Sequence, residues 1–161
     1  FTIYLPAAGA AADGLVPGRP GVATHALPDC SGGQHILYVD DEKALVSVVK
    51  RALERNRIRV SAHTDPHLAL AALEFDPAAF DLVVTDYSMP GMSGLELARK
   101  IRALRADLPV VVVSGFVDEE LRAKAAGAGV REVLFKATEL KDLCAVVQRL
   151  APLAPPRSAA R

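Results

Sequence analysis

Two cysteines and no tryptophan occur in the 161 residues. Cys30 and Cys144 stand 114 positions apart, which excludes a disulfide framework and a cysteine metal cluster. A reducing, cytoplasmic setting is therefore the expected one. No apolar run approaches the roughly 20 residues that span a bilayer, so no membrane contact is expected of this fragment. An excess of either charge is also missing: 19 basic side chains face 19 acidic ones. A general nucleic-acid binder carries a basic surplus, so no nucleic-acid partner is expected. No charged segment precedes an apolar stretch at Phe1–Leu5, so it does not read as a signal peptide. What the chain does have is 51% hydrophobic and 24% charged residues, the balance of a globular protein with a core of its own.

Glycine and proline are unevenly spread. Residues 6–33 hold six glycines and four prolines, whereas residues 34–150 hold five and four. The first stretch also lacks apolar periodicity and reads as a flexible linker. Residues 151–161 hold three prolines and read as a fraying, disordered tail. The expected folded body is residues 34–150.

Within that body, short apolar runs alternate with segments of helical period. His35–Asp40 reads as a buried strand. The segment 42–55 places Leu45, Val48, Val49, Ala52 and Leu53 on one helical face. Arg57–Ala62 alternates and reads as a second, less buried strand. Asp65-Pro66 is an N-cap with proline at the first helical position, opening a helix to Phe75. Asp81–Thr85 is a third strand. Ser93 and Glu96 form a capping box for a helix with Leu97, Ile101 and Leu104 inward. Pro109–Val113 is a continuous valine run, as in a strand covered on both faces. A helix over 118–126 ends at Gly127-Ala128-Gly129, and Arg131–Phe135 is a fifth strand. Thr138 caps a last helix with Leu140, Leu143, Cys144, Val147 and Leu150 on one face. Five strand–helix units in a row predict a parallel sheet with helices on both faces. Ligands of such sheets sit beyond the carboxyl ends of the strands.

Those ends carry Asp40 and Asp41, Asp86, Ser114 with Gly115, and Lys136. Each has a plain reading alone: a helix cap, a turn, a solvated charge. Together on one rim they predict a site. Clustered carboxylates repel, and burial aggravates the repulsion, so something positive belongs there. An all-oxygen donor set open to water suits Mg²⁺. A lysine supplies a point charge for phosphate, and a hydroxyl a hydrogen bond. An aspartate in this setting can be a nucleophile towards a phosphoryl group.

At this point the residues resemble a known family. Ile36-Leu-Tyr-Val-Asp-Asp-Glu42, Asp81-Leu-Val-Val-Thr-Asp-Tyr-Ser-Met-Pro-Gly-Met-Ser-Gly-Leu-Glu-Leu97, Pro109-Val-Val-Val-Val-Ser-Gly115 and Lys136 resemble the receiver domain of two-component response regulators. The resemblance spans residues 34–150 and implies a flavodoxin-like (βα)5 fold with a five-stranded parallel sheet. It implies Asp86 as phosphoacceptor, with Mg²⁺ on Asp40, Asp41, Asp86 and the backbone carbonyl of Ser88. It implies that Ser114 and Lys136 contact the transferred phosphoryl group. It implies as partner a histidine kinase or a histidine phosphotransfer domain, in the same chain or another.

Two positions depart from the family. Ala137 stands where proline usually follows the lysine, so either a trans bond with a shifted loop or a costly cis bond is expected. Val133 stands where an aromatic switch residue is usual, which predicts weaker readout through the face of the fourth and fifth helices. A non-phosphorylated receiver acting as an interaction module is the alternative reading. A haloacid-dehalogenase-type phosphatase would need a second aspartate at position 88, which is Ser88. A flavin carrier would need a hydroxyl- and glycine-rich loop where Asp40-Asp41-Glu42 stands.

Phe1-Thr-Ile-Tyr-Leu-Pro6 resembles the end of a histidine-kinase ATP-binding domain. Residues 1–5 are thus expected to be the remnant of its last strand, and the parent a hybrid sensor kinase. The fragment itself carries no kinase motif. Phe116 is a candidate shield for the phosphoryl site. His25, His35, His63 and His67 show no spacing that fits one metal site.

Overall fold

The computed structural model describes residues 33–136 and 140–151. The N-terminal remnant, most of the linker, the bond after Lys136, the Thr138 cap and residues 152–161 lie outside the described residues. Ten elements follow one another: β1 (His35–Val39), α1 (Lys43–Arg55), β2 (Arg59–His63), α2 (Pro66–Phe75), β3 (Leu82–Asp86), α3 (Gly94–Leu104), β4 (Val110–Ser114), α4 (Glu119–Gly127), β5 (Glu132–Phe135) and α5 (Leu140–Leu150). All strand pairs are parallel, in the order β2-β1-β3-β4-β5. The expected α/β sheet is what forms.

Alternate strand residues feed opposite layers, as the two-residue period of a strand requires. Ile36, Tyr38, Val84 and Val111 pack against Val49, Leu53, Leu143 and Val147 of α1 and α5. Leu37, Val39 and Val83 pack against Leu73, Leu97 and Ile101 of α2 and α3. Val112 joins Leu95, Leu121 and Ala125, so α4 covers the second face as well. The valine run is β4, paired on both edges and buried through Val110–Val112.

Several details differ from the sequence reading. The inward face of α1 is Val46, Val49 and Leu53, and Val48 is exposed. Leu104, the last residue of α3, is exposed too. The second strand begins two residues late. Arg57 takes φ +61°, and Asn56 and Arg57 donate to the carbonyls of Leu53 and Glu54. Those residues close the helix before the strand can start. Ala151, placed in the tail by its neighbouring prolines, is buried. Its N–H donates to Val147 at 2.8 Å, and its carbonyl accepts from the Gln34 side-chain amide. The capping box of Ser93 and Glu96 is present with both hydrogen bonds, and Asp65 caps α2 through the His67 N–H.

His35 ties the amino-terminal end of the sheet together. Its Nδ1–H donates to the Ala79 carbonyl at 3.0 Å. A carbonyl only accepts, so the neutral ring leaves Nε2 to accept from the Ser61 hydroxyl at 2.9 Å. The ring also lies 4.7 Å from Phe80. Burial, reinforced by Arg59, holds its pKa below the ordinary histidine value, against the Ala79 carbonyl and the acids Asp81 and Asp76. The unfolded chain therefore takes the proton first. Stability from the neutral ring is complete above about pH 6.5 and is lost as pH falls through the folded-state pKa. Between pH 7.5 and 5.5 the melting temperature should fall, and His35→Gln should make that slope shallower. Equal slopes by calorimetry would refute the assignment.

Candidate functional site

The sheet order sets the site. The chain runs from β1 out to β2, then crosses back to β3 on the other side of β1. A crevice opens where the connections diverge, at the carboxyl ends of β1 and β3. Asp40 follows β1, Asp86 ends β3, Ser114 ends β4 and Lys136 follows β5. The Asp40 N–H is held by the His63 carbonyl at 3.2 Å, and the Lys136 N–H by the Ser114 carbonyl at 2.7 Å.

The Lys136 ammonium stands 3.0 Å from Asp86 Oδ1 and 3.2 Å from Asp40 Oδ2. Both aspartates are buried, Asp40 completely. Burial opposes the lysine's charge, but its hydrogen bond to Asp86 and the charges of Asp40 and Asp86 prevail and hold its pKa above the ordinary lysine value. Asp86 Oδ2 accepts from the Ser88 N–H at 2.9 Å, and Asp40 Oδ1 accepts from the Glu42 N–H at 2.9 Å. Asp40 Oδ2 is buried with no hydrogen-bond partner, leaving only the 3.2 Å ion pair.

The expected residues thus meet unequally. Asp40, Asp86 and Lys136 are in contact. Asp41, expected in the same cluster, is exposed beside them. Ser114 is buried, but its hydroxyl donates to the Phe116 carbonyl at 2.7 Å. Phe116 itself is 71% exposed. Val133, at the usual aromatic position, is part-buried against the cluster of Leu95, Val112 and Leu121. His63 is half-buried, and His67 is exposed at the start of α2.

Among the described residues, no three His, Cys, Asp or Glu side chains come together as a metal cage. Mg²⁺ does not require one. It takes one or two carboxylates and keeps several waters. The buried Asp40–Asp86 pair, all oxygen, with one orphaned lone-pair-bearing atom, fits that demand.

Two contributors, Tyr38 and Thr85, were not singled out from sequence, and Gly94 was read only as part of the motif. Tyr38 is buried two residues before Asp40, on the same strand face. Burial first, then the charges of Asp40 and Asp86, push its phenol pKa up. The two-residue strand period was a signal that could have found it. Thr85 is buried and donates its hydroxyl to the Asp86 carbonyl at 3.1 Å. Gly94 packs against Asp86 so closely that a Cβ there would lie 2.3 Å from the Asp86 carbonyl oxygen.

Two outcomes follow. Gly94→Ala should force the β3–α3 loop off Asp86 and cost about 1–3 kcal/mol; an unchanged denaturation midpoint would contradict the packing argument. Lys136→Met should lower stability in metal-free buffer by about 1–3 kcal/mol, below a fully buried pair because the lysine is 30% exposed. Added Mg²⁺ should restore part of that loss in a thermal melt.

Comparison with known proteins agrees with this geometry. The response regulator receiver domain, as a sequence family, matches residues 36–148. The cyclic di-GMP phosphodiesterase response regulator RpfG of Xanthomonas campestris is 34% identical over 125 residues, 75% of this chain and 32% of that protein. The chain spans between 15% and 52% of the length of such curated relatives. A receiver domain from Clostridium thermocellum superposes with a TM-score of 0.70 at 25% identity, covering 73% of this chain and 94% of that one. The response regulator TrrA of Thermotoga maritima, solved in complex with Mg²⁺ and BeF, superposes with a TM-score of 0.64 at 27% identity, covering 73% and 99%. A matched sequence family, a matched fold and an acid pair clamped by a lysine at the strand ends lead to one conclusion: the chain belongs to the receiver-domain family of response regulators.

Proposed function

We propose that this domain accepts a phosphoryl group on Asp86 from a phosphohistidine of a histidine kinase or phosphotransfer domain. The observation that carries the reading is the Asp86 carboxylate, buried yet held by Lys136 at 3.0 Å and by the Ser88 N–H at 2.9 Å. One of its oxygens attacks phosphorus. The phosphorus–nitrogen bond breaks, the leaving imidazole takes a proton from solvent and departs neutral, and an acyl phosphate remains.

Most of the acceleration in such a transfer is positioning and charge neutralisation. Lys136 supplies a cation already aimed at Asp86, and it can follow the charge onto the new phosphoryl oxygens. Ser114 supplies a donor once its hydroxyl leaves the Phe116 carbonyl. Thr85 and Gly94 hold the Asp86 backbone in place. Asp40, Asp86, Asp41 and the Ser88 carbonyl would hold Mg²⁺, which when bound neutralises phosphoryl charge. A phosphohistidine donor in a hybrid sensor kinase and a cytoplasmic setting complete the proposal. No helix among the described residues is long and apolar enough to cross a membrane.

Incubation with acetyl phosphate and Mg²⁺ should add one phosphoryl group, read as about 80 Da by intact mass from the composition HPO₃. Asp86→Asn should abolish the gain. A gain that survives in that variant, or none in the unaltered chain, would sink the assignment.

A further inference from the structure

The opposite end of the sheet carries a second charged feature that phosphoryl transfer does not use. An open cleft of about 600 Å³ lies where the α3–β4 loop, the α4–β5 loop and the end of α5 meet. Arg102, Arg131 and Arg149 line it, above Leu108, Pro109 and Val130. In a chain with no net charge, three guanidinium groups meet at this cleft, and one of them, Arg149, is paired with Glu132.

The acids nearby are already engaged. Asp107, the one carboxylate among the described lining residues, is gripped by Arg105 through Nε and Nη2 at 3.0–3.3 Å. Arg105 is itself anchored on the Pro77 and Phe80 carbonyls at 2.9 and 2.7 Å. Glu132 pairs with Arg149 at 2.5 Å. Arg102 and Arg131 have no acidic partner among the described residues.

The Arg102 side chain lies against the α4–β5 loop. Gly129, at φ +80°, sits directly beneath its side chain, and a Cβ there would lie 2.5 Å from the arginine Cδ and 2.8 Å from Nη1. Glycine thus lets the guanidinium lie down across the α4–β5 loop. Arginines in the last turns of α3 and α5 also compensate helix carbonyls. Arg131 lies on no helix and has no such duty; its N–H simply pairs with Val110 at 2.7 Å.

We propose that this cleft binds a small molecule carrying a diphosphate group. Planar guanidinium groups offer paired donors that match phosphate oxygens. The volume exceeds one phosphate and falls in the range of small-molecule sites. The apolar floor of Leu108, Pro109 and Val130 suits an organic portion beside the anion.

The test titrates the full chain in metal-free buffer with pyrophosphate, ADP and sulfate, followed by amide NMR. Saturable shifts at Arg102, Gly129, Arg131 and Arg149 are expected with both diphosphates, tighter for ADP if the apolar floor contributes. Pyrophosphate binding as tightly as ADP would assign the source as inorganic. The double variant Arg102→Gln/Arg131→Gln should weaken binding at least tenfold. Both positions are exposed, and the variant should retain phosphorylation by acetyl phosphate at the unaltered rate. Shifts confined to Ser114 and Lys136, unchanged affinity in the double variant, or sulfate binding equal to the diphosphates would each overturn the proposal. A short single-stranded RNA displacing ADP at far lower concentration would replace the small ligand with a polyanion.

Discussion

The ion pair of one lysine with two buried aspartates is the constraint on which the functional end of this molecule depends. Asp40 and Asp86 end or follow neighbouring central strands, so the sheet brings them together whether or not their charges allow it. Two carboxylates out of water and this close are unfavourable unless a cation lies between them. Lys136 is that cation, at 3.2 and 3.0 Å. It arrives from β5, two strands away from β3, and only the assembled parallel sheet places it there. The compensation is incomplete. Asp40 Oδ2 keeps no hydrogen bond of its own, which leaves the site receptive to a further positive group.

The sheet that enforces this geometry is ordinary. β1, β3 and β4 are nearly continuous apolar runs because both faces are covered. The layers differ in what covers them: α1 and α5 on one face, α2, α3 and α4 on the other. Polar groups are admitted at the strand ends, and there they are satisfied by backbone donors in the adjoining loops. The amino-terminal end is locked by the neutral His35 and by Arg105. One end of the sheet is therefore tied down by hydrogen bonds, and the other holds charge in tension.

Much of the architecture was legible in residue order. The capping box at Ser93, the Asp65-Pro66 helix start and the valine run of β4 are local signals, and each appears where its chemistry puts it. The errors have local causes too. Val48 and Leu104 have the helical spacing of core residues, but each sits at the border of its apolar stripe and is left in water. Arg57 could not be foreseen as left-handed, because a basic residue gives no local hint of it. Ala151 was obscured by the prolines that follow, although its burial depends on Gln34, 117 positions away.

Sequence by itself determined the identity of the chemical groups and the strand ends at which they stand. Alternation, caps and turn residues act over a few positions, and that range suffices to place Asp40, Asp86, Ser114 and Lys136 on one rim. Only the tertiary structure decided which of them touch. It put Lys136 between Asp40 and Asp86, left Asp41 in solvent, turned the Ser114 hydroxyl onto Phe116, and laid Arg102 across Gly129 at the far pole. Those outcomes rest on contacts between segments tens of residues apart, set by strand register and the fit of side chains, which no local pattern encodes.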